Sequence, residues 1–77
     1  METPSLKKQK IAFGNKVREI RESKGLSLLQ VSYNCNIDDS KISKIEHGKI
    51  NITLGTIIDL AKGLSVYPKE LLDIEFE

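Results

Sequence analysis

One cysteine, one histidine and no tryptophan stand in 77 residues, and each scarcity removes a class of chemistry. A single Cys35 cannot close an internal disulfide, so nothing in the chain demands an oxidising compartment. Cys35 and His47 together are too few for a zinc site, and neither is accompanied by a recognisable base or nucleophile partner, so enzymatic activity is not expected. No glycine-rich phosphate loop and no apolar run of membrane-spanning length occur, and the N-terminus lacks a signal-peptide core. The expectations are a cytoplasmic protein with no cofactor, no metal and no membrane partner.

What is present is an ordinary globular composition, 39% hydrophobic and 30% charged, in a length that suits one small domain. A domain this small gains from burying more surface by dimerising. The net charge of +1 is small for a nucleic-acid-binding domain, but its distribution is uneven. Residues 1–24 carry +4, residues 25–58 carry zero and residues 59–77 carry −3. A basic end and an acidic end would let one side approach phosphate while the other avoids it, although a charge-mixed solvated surface accounts for the same numbers.

The densest signal is Leu26 to Gly48, LSLLQVSYNCNIDDSKISKIEHG. Ser27 can cap a helix of about two turns whose inward residues are Leu28, Val31 and Cys35. Asn36, able to adopt positive φ, is expected to make the tight turn. Ile37 then plugs the angle, Asp38 caps a second helix, Ile42 and Ile45 face inward, and Gly48 ends it. Asp39, Ser40, Lys41, Ser43, Lys44 and His47 are left facing outward with hydrogen-bonding heads, a face suited to base edges and phosphates.

Around this pair, residues 7–24 read as a helix with Ile11, Phe13, Val17 and Ile20 as its apolar stripe, closed by Gly25. Met1 to Ser5 read as a frayed terminus, since Pro4 discourages regular structure, and residues 1–9 as a flexible basic segment. Thr53 is expected to cap a fourth helix bearing Leu54, Ile57, Ile58 and Ala61 up to Gly63. Pro68 opens a short fifth helix with Glu70, Leu71 and Leu72, after an extended Val66-Tyr67. The domain proper would run over 10–73, with 74–77 a short tail, too short to form a sheet alone.

Taken in order, Val17-Arg18-Glu19-Ile20-Arg21, Lys24-Gly25-Leu26-Ser27, Val31-Ser32, Ile42-Ser43-Lys44-Ile45-Glu46-His47-Gly48-Lys49, Thr53-Leu54, Leu60-Ala61-Lys62-Gly63-Leu64-Ser65-Val66 and Leu71-Leu72 resemble the lambda-repressor-like, or xenobiotic-response-element type, helix-turn-helix family of bacterial and phage regulators. The resemblance covers about Phe13 to Leu72. It implies an all-α fold, a compact five-helix DNA-binding domain, and a transcriptional regulator that binds double-stranded DNA, as a homodimer on a palindromic operator.

By the same resemblance the helix over 38–47 is the recognition helix. Asp39, Ser40, Lys41 and Lys44 would face base edges. Ser27, Ser43, Lys49 and Asn51 would lie near the sugar-phosphate backbone, although capping and loop chemistry account for these residue types as well. Arg21 and Glu46 match a structural ion pair. The sequence departs from the family pattern in two places. Leu28 stands where glutamine usually anchors a phosphate, and the acidic pair Asp38-Asp39 stands where Ser or Thr followed by a polar or basic residue is common. Asp38 is explained as a cap; Asp39 would be repelled by phosphate unless it accepts from cytosine N4.

Leu64, Val66, Tyr67, Leu71, Ile74 and Phe76 form an apolar C-terminal cluster that serves equally as dimer contact or as intramolecular core. A chain of this length leaves no room for a sensing domain, so no small-molecule ligand is expected, and a small autoregulator of the restriction-modification, antitoxin or phage type fits. A reading from a different class is a protein-interaction module, docking through the Leu/Ile-rich C-terminal half, in which Leu28 and the acidic pair reflect lost DNA binding.

Overall fold

The computed structural model describes residues 3–76, and among these it contains five α-helices and no strand. The helices are α1 (Pro4–Ser23), α2 (Leu28–Tyr33), α3 (Asp39–Glu46), α4 (Leu54–Leu64) and α5 (Pro68–Leu71). The expected all-α, five-helix architecture is the one observed.

Four of the five helix starts are fixed by side-chain caps. Thr3, Ser27, Asp38 and Thr53 each sit in extended backbone and accept a hydrogen bond from an N–H three residues on, which satisfies one of the donors that every helix N-terminus leaves free. Ser27 does more: its own N–H donates to Gln30 Oε1 at 2.7 Å, closing a capping box. At α5, Pro68 takes the first position, where its missing N–H costs nothing, and Glu70 reaches back to accept from Tyr67 N–H.

Pro4 plays the same part at α1. The sequence suggests fraying through Ser5 and a helix from Lys7, but proline at the first helical position is preorganised for a helix, and α1 runs from Pro4 onward. Met1 and Glu2, the rest of the expected frayed terminus, lie outside the described residues, as does Glu77.

The core joins Phe13 and Val17 of α1, Val31 of α2, Ile37 of the turn, Ile42 and Ile45 of α3, Leu60, Ala61 and Leu64 of α4, and Leu71 of α5. Thus α3 packs on α1 and α2, while α4 packs on α2 and α5. Two expected stripes hold only in part: Phe13, Val17 and Ala61 are buried and Ile20 and Ile57 pack against the core. Ile11 is 44% exposed, and on α4 Leu54 and Ile58 are 68% and 51% exposed. Apolar residues occupy so much of the α4 circumference that spacing alone does not choose the buried side; Leu60, Ala61 and Leu64 are the residues that turn inward.

The C-terminal cluster divides. Leu64 and Leu71 are wholly buried within the chain, so they have no surface to offer a second copy and are core residues, a correction to their reading as dimer contacts. Val66 and Ile74 are half-buried against the core, and Ile74 and Phe76 line a shallow apolar groove with Leu6 and Phe13 of α1. Tyr67 and Phe76 remain largely exposed, in company with Leu54, Ile58 and Leu72.

Ser65 closes α4 in the left-handed region, at φ 57 and ψ 43, the one non-glycine residue with positive φ among those described. A Cβ strains this conformation, and glycine is the usual occupant. Ser65→Gly is expected to raise stability by about 1 kcal/mol, shifting the thermal midpoint up by about 4–8 °C. An unchanged or lowered midpoint would mean that the strain is offset by the extra freedom of glycine in the unfolded chain.

Candidate nucleic-acid interface

Between α2 and α3 the chain turns through Asn34, Cys35 and Asn36. The expectation that Asn36 would use positive φ is not met, since no turn residue lies in that region. The turn is held from outside instead: Asn36 N–H donates to Asp59 Oδ2 of α4 at 3.0 Å. The Cys35 thiol donates to the carbonyl oxygen of Val31 and faces Gly63 of α4, where a Cβ would lie 3.0 Å from its sulfur. Cys35 is therefore a half-buried packing residue, and Ile37 fills the angle as expected, at 6% exposure.

Asp38 Oδ1 accepts from Lys41 N–H at 2.8 Å and starts α3. Ile42, Ile45 and Glu46 form the buried side of this helix. Asp39, Ser40, Lys41 and Lys44 are all exposed, and Ser43 is half-buried. The helix ends at Gly48, φ +68, with Gly48 N–H donating to Ile45 O and Lys49 N–H to Lys44 O. His47 Nδ1 lies 2.7 Å from Ser43 O; a carbonyl only accepts, so this contact requires the hydrogen on Nδ1. Lys49 and Asn51 follow on an exposed loop that Ile50 and Ile52 pin to the core.

The seating of α3 on α1 combines a close backbone approach with a buried charge. Gly14 of α1 faces the α3 backbone so tightly that a Cβ on it would stand 2.5 Å from Glu46 O. Glu46, 3% exposed, takes a forked pair from Arg21, Nε to Oε2 at 2.7 Å and Nη2 to Oε1 at 3.0 Å. Arg21 Nη1 donates further to Leu26 O at 2.9 Å, tying in the segment that leads to α2. The hydrogen bond to Glu46 raises the Arg21 pKa further, against the opposing effect of burial. A raised folded-state value gives stability that is present below the unfolded value and lost only as pH rises through the folded one. For an arginine that window lies far above neutrality, so the guanidinium half of the pair is insensitive to ordinary pH.

Arg18 was not singled out in the sequence. It stands three residues before Arg21 on the same helix, with Nε 3.6 Å from Glu46 Oε1 and Nη2 3.5 Å from Glu46 O. The i, i+3 spacing of the two arginines was the available signal. The structure thus gathers Asp39, Ser40, Lys41 and Lys44 on one helix and places Lys49 and Asn51 on the loop that leaves it. Ser27 stands apart at the α2 cap, where its N–H and one oxygen lone pair are already engaged and its hydroxyl hydrogen remains to donate.

Residues 14–75 match the sequence profile of a helix-turn-helix domain family. The chain belongs to that family. Two control proteins are similar to this helix-turn-helix protein: C.BamHI of Bacillus amyloliquefaciens, 42% identical over 83% of the chain and 80% of the relative, and C.MunI of a Mycoplasma species, 37% identical over 88% and 95%. Among solved structures, the restriction-modification controller protein C.AhdI of Aeromonas hydrophila superposes with a TM-score of 0.80 at 34% identity, covering 84% of this chain and 94% of that one. Among the described residues of the helix-turn-helix protein, no helix is long and apolar enough to cross a membrane, and no His, Cys, Asp and Glu residues group as metal ligands.

Proposed function

We propose that this helix-turn-helix protein is a sequence-specific DNA-binding transcriptional regulator of the restriction-modification controller kind. It lays α3 in the major groove of double-stranded DNA and acts as a homodimer on a palindromic operator, in the cytoplasm, with no catalytic activity and no small-molecule ligand. The observation that carries the reading is the outward face of α3: Asp39, Ser40, Lys41 and Lys44 are exposed on a helix capped at both ends and fixed to α1. Among the described residues, none of their side chains has a hydrogen-bond or ion-pair partner. The likeness to control proteins supports the assignment to restriction-modification over antitoxin and phage regulators.

In this reading Lys44 donates to guanine O6 or N7, with Asp39, Ser40 and Lys41 at neighbouring base edges, while Ser27, Ser43, Lys49 and Asn51 hold the sugar-phosphate backbone. The dimer contact draws on Tyr67 and Phe76 together with exposed Leu54, Ile58 and Leu72, with half-buried Val66 and Ile74 at its margin. A two-fold pair would set the two α3 helices about one DNA turn apart, roughly 34 Å.

The test is fluorescence anisotropy with the DNA upstream of the protein's own gene and a shuffled control, at several salt concentrations, beside sedimentation of the free protein. Preference for the upstream duplex, with affinity falling steeply as salt rises, is expected. Absence of binding to either duplex at low salt would remove the reading and favour a protein-interaction module. Lys49→Ala is expected to weaken binding to every sequence and reduce the salt slope by about one. Lys44→Ala should instead relax preference at one base pair per half-site by roughly 1–3 kcal/mol, and equal losses on operator and shuffled DNA would sink that assignment.

A further inference from the structure

The two adjacent aspartates at the start of α3 differ in what they touch. Asp38 Oδ1 is occupied by Lys41 N–H. Asp39 lies in the first helical turn, exposed, and its carboxylate has no hydrogen-bond or ion-pair partner among the described residues. The helix dipole favours a negative charge there, but that would hold equally for a residue pointing at solvent; Asp39, Lys41 and Lys44 are all exposed on α3, with Asp39 at its first position. A duplex that takes the N-terminal turn of α3 into its major groove meets the Asp39 carboxylate.

A carboxylate accepts hydrogen bonds and cannot donate them. In the major groove it gains only from exocyclic amino groups, cytosine N4 or adenine N6. Adenine N6 lies between two acceptors, its own N7 and thymine O4, which repel a carboxylate from both sides. Cytosine N4 has guanine O6 on one side and the apolar C5 edge on the other.

We propose that Asp39 is a specificity-determining residue that accepts a hydrogen bond from cytosine N4 and fixes one C·G pair in the site read by each α3. The proposal rests on the assignment of α3 as the recognition helix. Its charge repels every site that lacks the amino group in that place, so Asp39 lowers affinity for other DNA while it selects the operator.

Wild type, Asp39→Ala and Asp39→Asn are compared by anisotropy, at one salt concentration, on the upstream duplex, on a set with each base pair replaced singly, and on the shuffled control. Thermal melts confirm that the variants fold. For wild type, changing one C·G pair to T·A is expected to weaken binding roughly 5- to 150-fold. Asp39→Ala is expected to lose that discrimination, to under about twofold, and to bind the shuffled duplex more tightly than wild type does. Asp39→Asn, which can pair with adenine N6 and N7, is expected to move the preference at that position to A·T.

A discrimination profile that is the same for all three proteins overturns the proposal while leaving DNA recognition by α3 intact. So does a wild-type preference for adenine at the position that responds to Asp39. Failure of wild type to bind any of the duplexes at low salt is a separate outcome: it overturns the recognition-helix assignment itself, and the role of Asp39 with it.

Discussion

Gly14→Ala is expected to lower the thermal midpoint by about 12 °C or more. The added methyl would stand 2.5 Å from Glu46 O and 2.8 Å from Glu46 C, and these are backbone atoms of α3 that cannot rotate away. Overpacking of a core by a methyl group costs typically 1–3 kcal/mol when side chains can adjust. Here a whole helix must shift, so about 3 kcal/mol is the lower end, against a total of roughly 4–12 kcal/mol for a domain of this length. Gly55→Ala is the matched control. A Cβ there meets nothing nearer than Thr53 Oγ1 at 3.7 Å, and alanine is the better helix former, so this variant should gain up to about 1 kcal/mol. A Gly14→Ala protein that melts within a few degrees of wild type would mean that α1 and α3 do not meet backbone to backbone.

Glu46→Ala is expected to cost about 3–5 kcal/mol. The substitution removes the carboxylate from the fork and leaves the Arg21 guanidinium, 14% exposed, beside a vacated site with only Leu26 O and solvent to satisfy it. Arg18 cannot compensate, since it brings a second positive charge to the same place. Removing both charges in Arg21→Met/Glu46→Leu should cost much less than the two single substitutions together, because a packed apolar pair leaves no orphaned ion. Chemical denaturation of the four proteins of this cycle gives the coupling directly. Additive losses would show that the fork contributes nothing beyond its separate side chains. Because the fork holds α3 against α1, Glu46→Ala should also weaken DNA binding at temperatures where the variant is still folded.

Local chemistry made much of this fold readable from the sequence. Ser27, Asp38, Thr53 and Pro68 start helices, and Gly48 ends one, through contacts that span three or four residues, which spacing rules capture. Burial of Val31, Ile42 and Ile45 followed from helical period, as did exposure of Asp39, Ser40, Lys41 and Lys44, and burial of Ile37 followed from its place in the angle between two helices. The pairing of Arg21 with Glu46, 25 residues apart, was reached only through resemblance to a family. What stayed hidden depended on neighbours far along the chain. Leu54 and Ile58 look as apolar as Leu60 and Leu64, and only the placement of α2 and α5 decides which pair is covered. The same holds for Leu64 and Leu71, whose burial in one copy could not be told from burial between two. Pro4 was ambiguous for a different reason, since proline both breaks helices and begins them. As for the base each outward side chain would read, helical period says nothing about it.

The hydrogen bond from Asn36 N–H to Asp59 has a bearing on transplantation. The turn between α2 and α3 has no left-handed residue to enforce its shape, and a carboxylate 23 positions downstream holds it. A graft of residues 26–48 onto another scaffold would carry the proposed reading surface but leave behind an anchor of the angle at which that surface is presented. In the proposed reading specificity would travel with the segment, while orientation belongs to the host, and an exchange of such segments between helix-turn-helix proteins should succeed only where the receiving fourth helix supplies an acceptor in the place of Asp59.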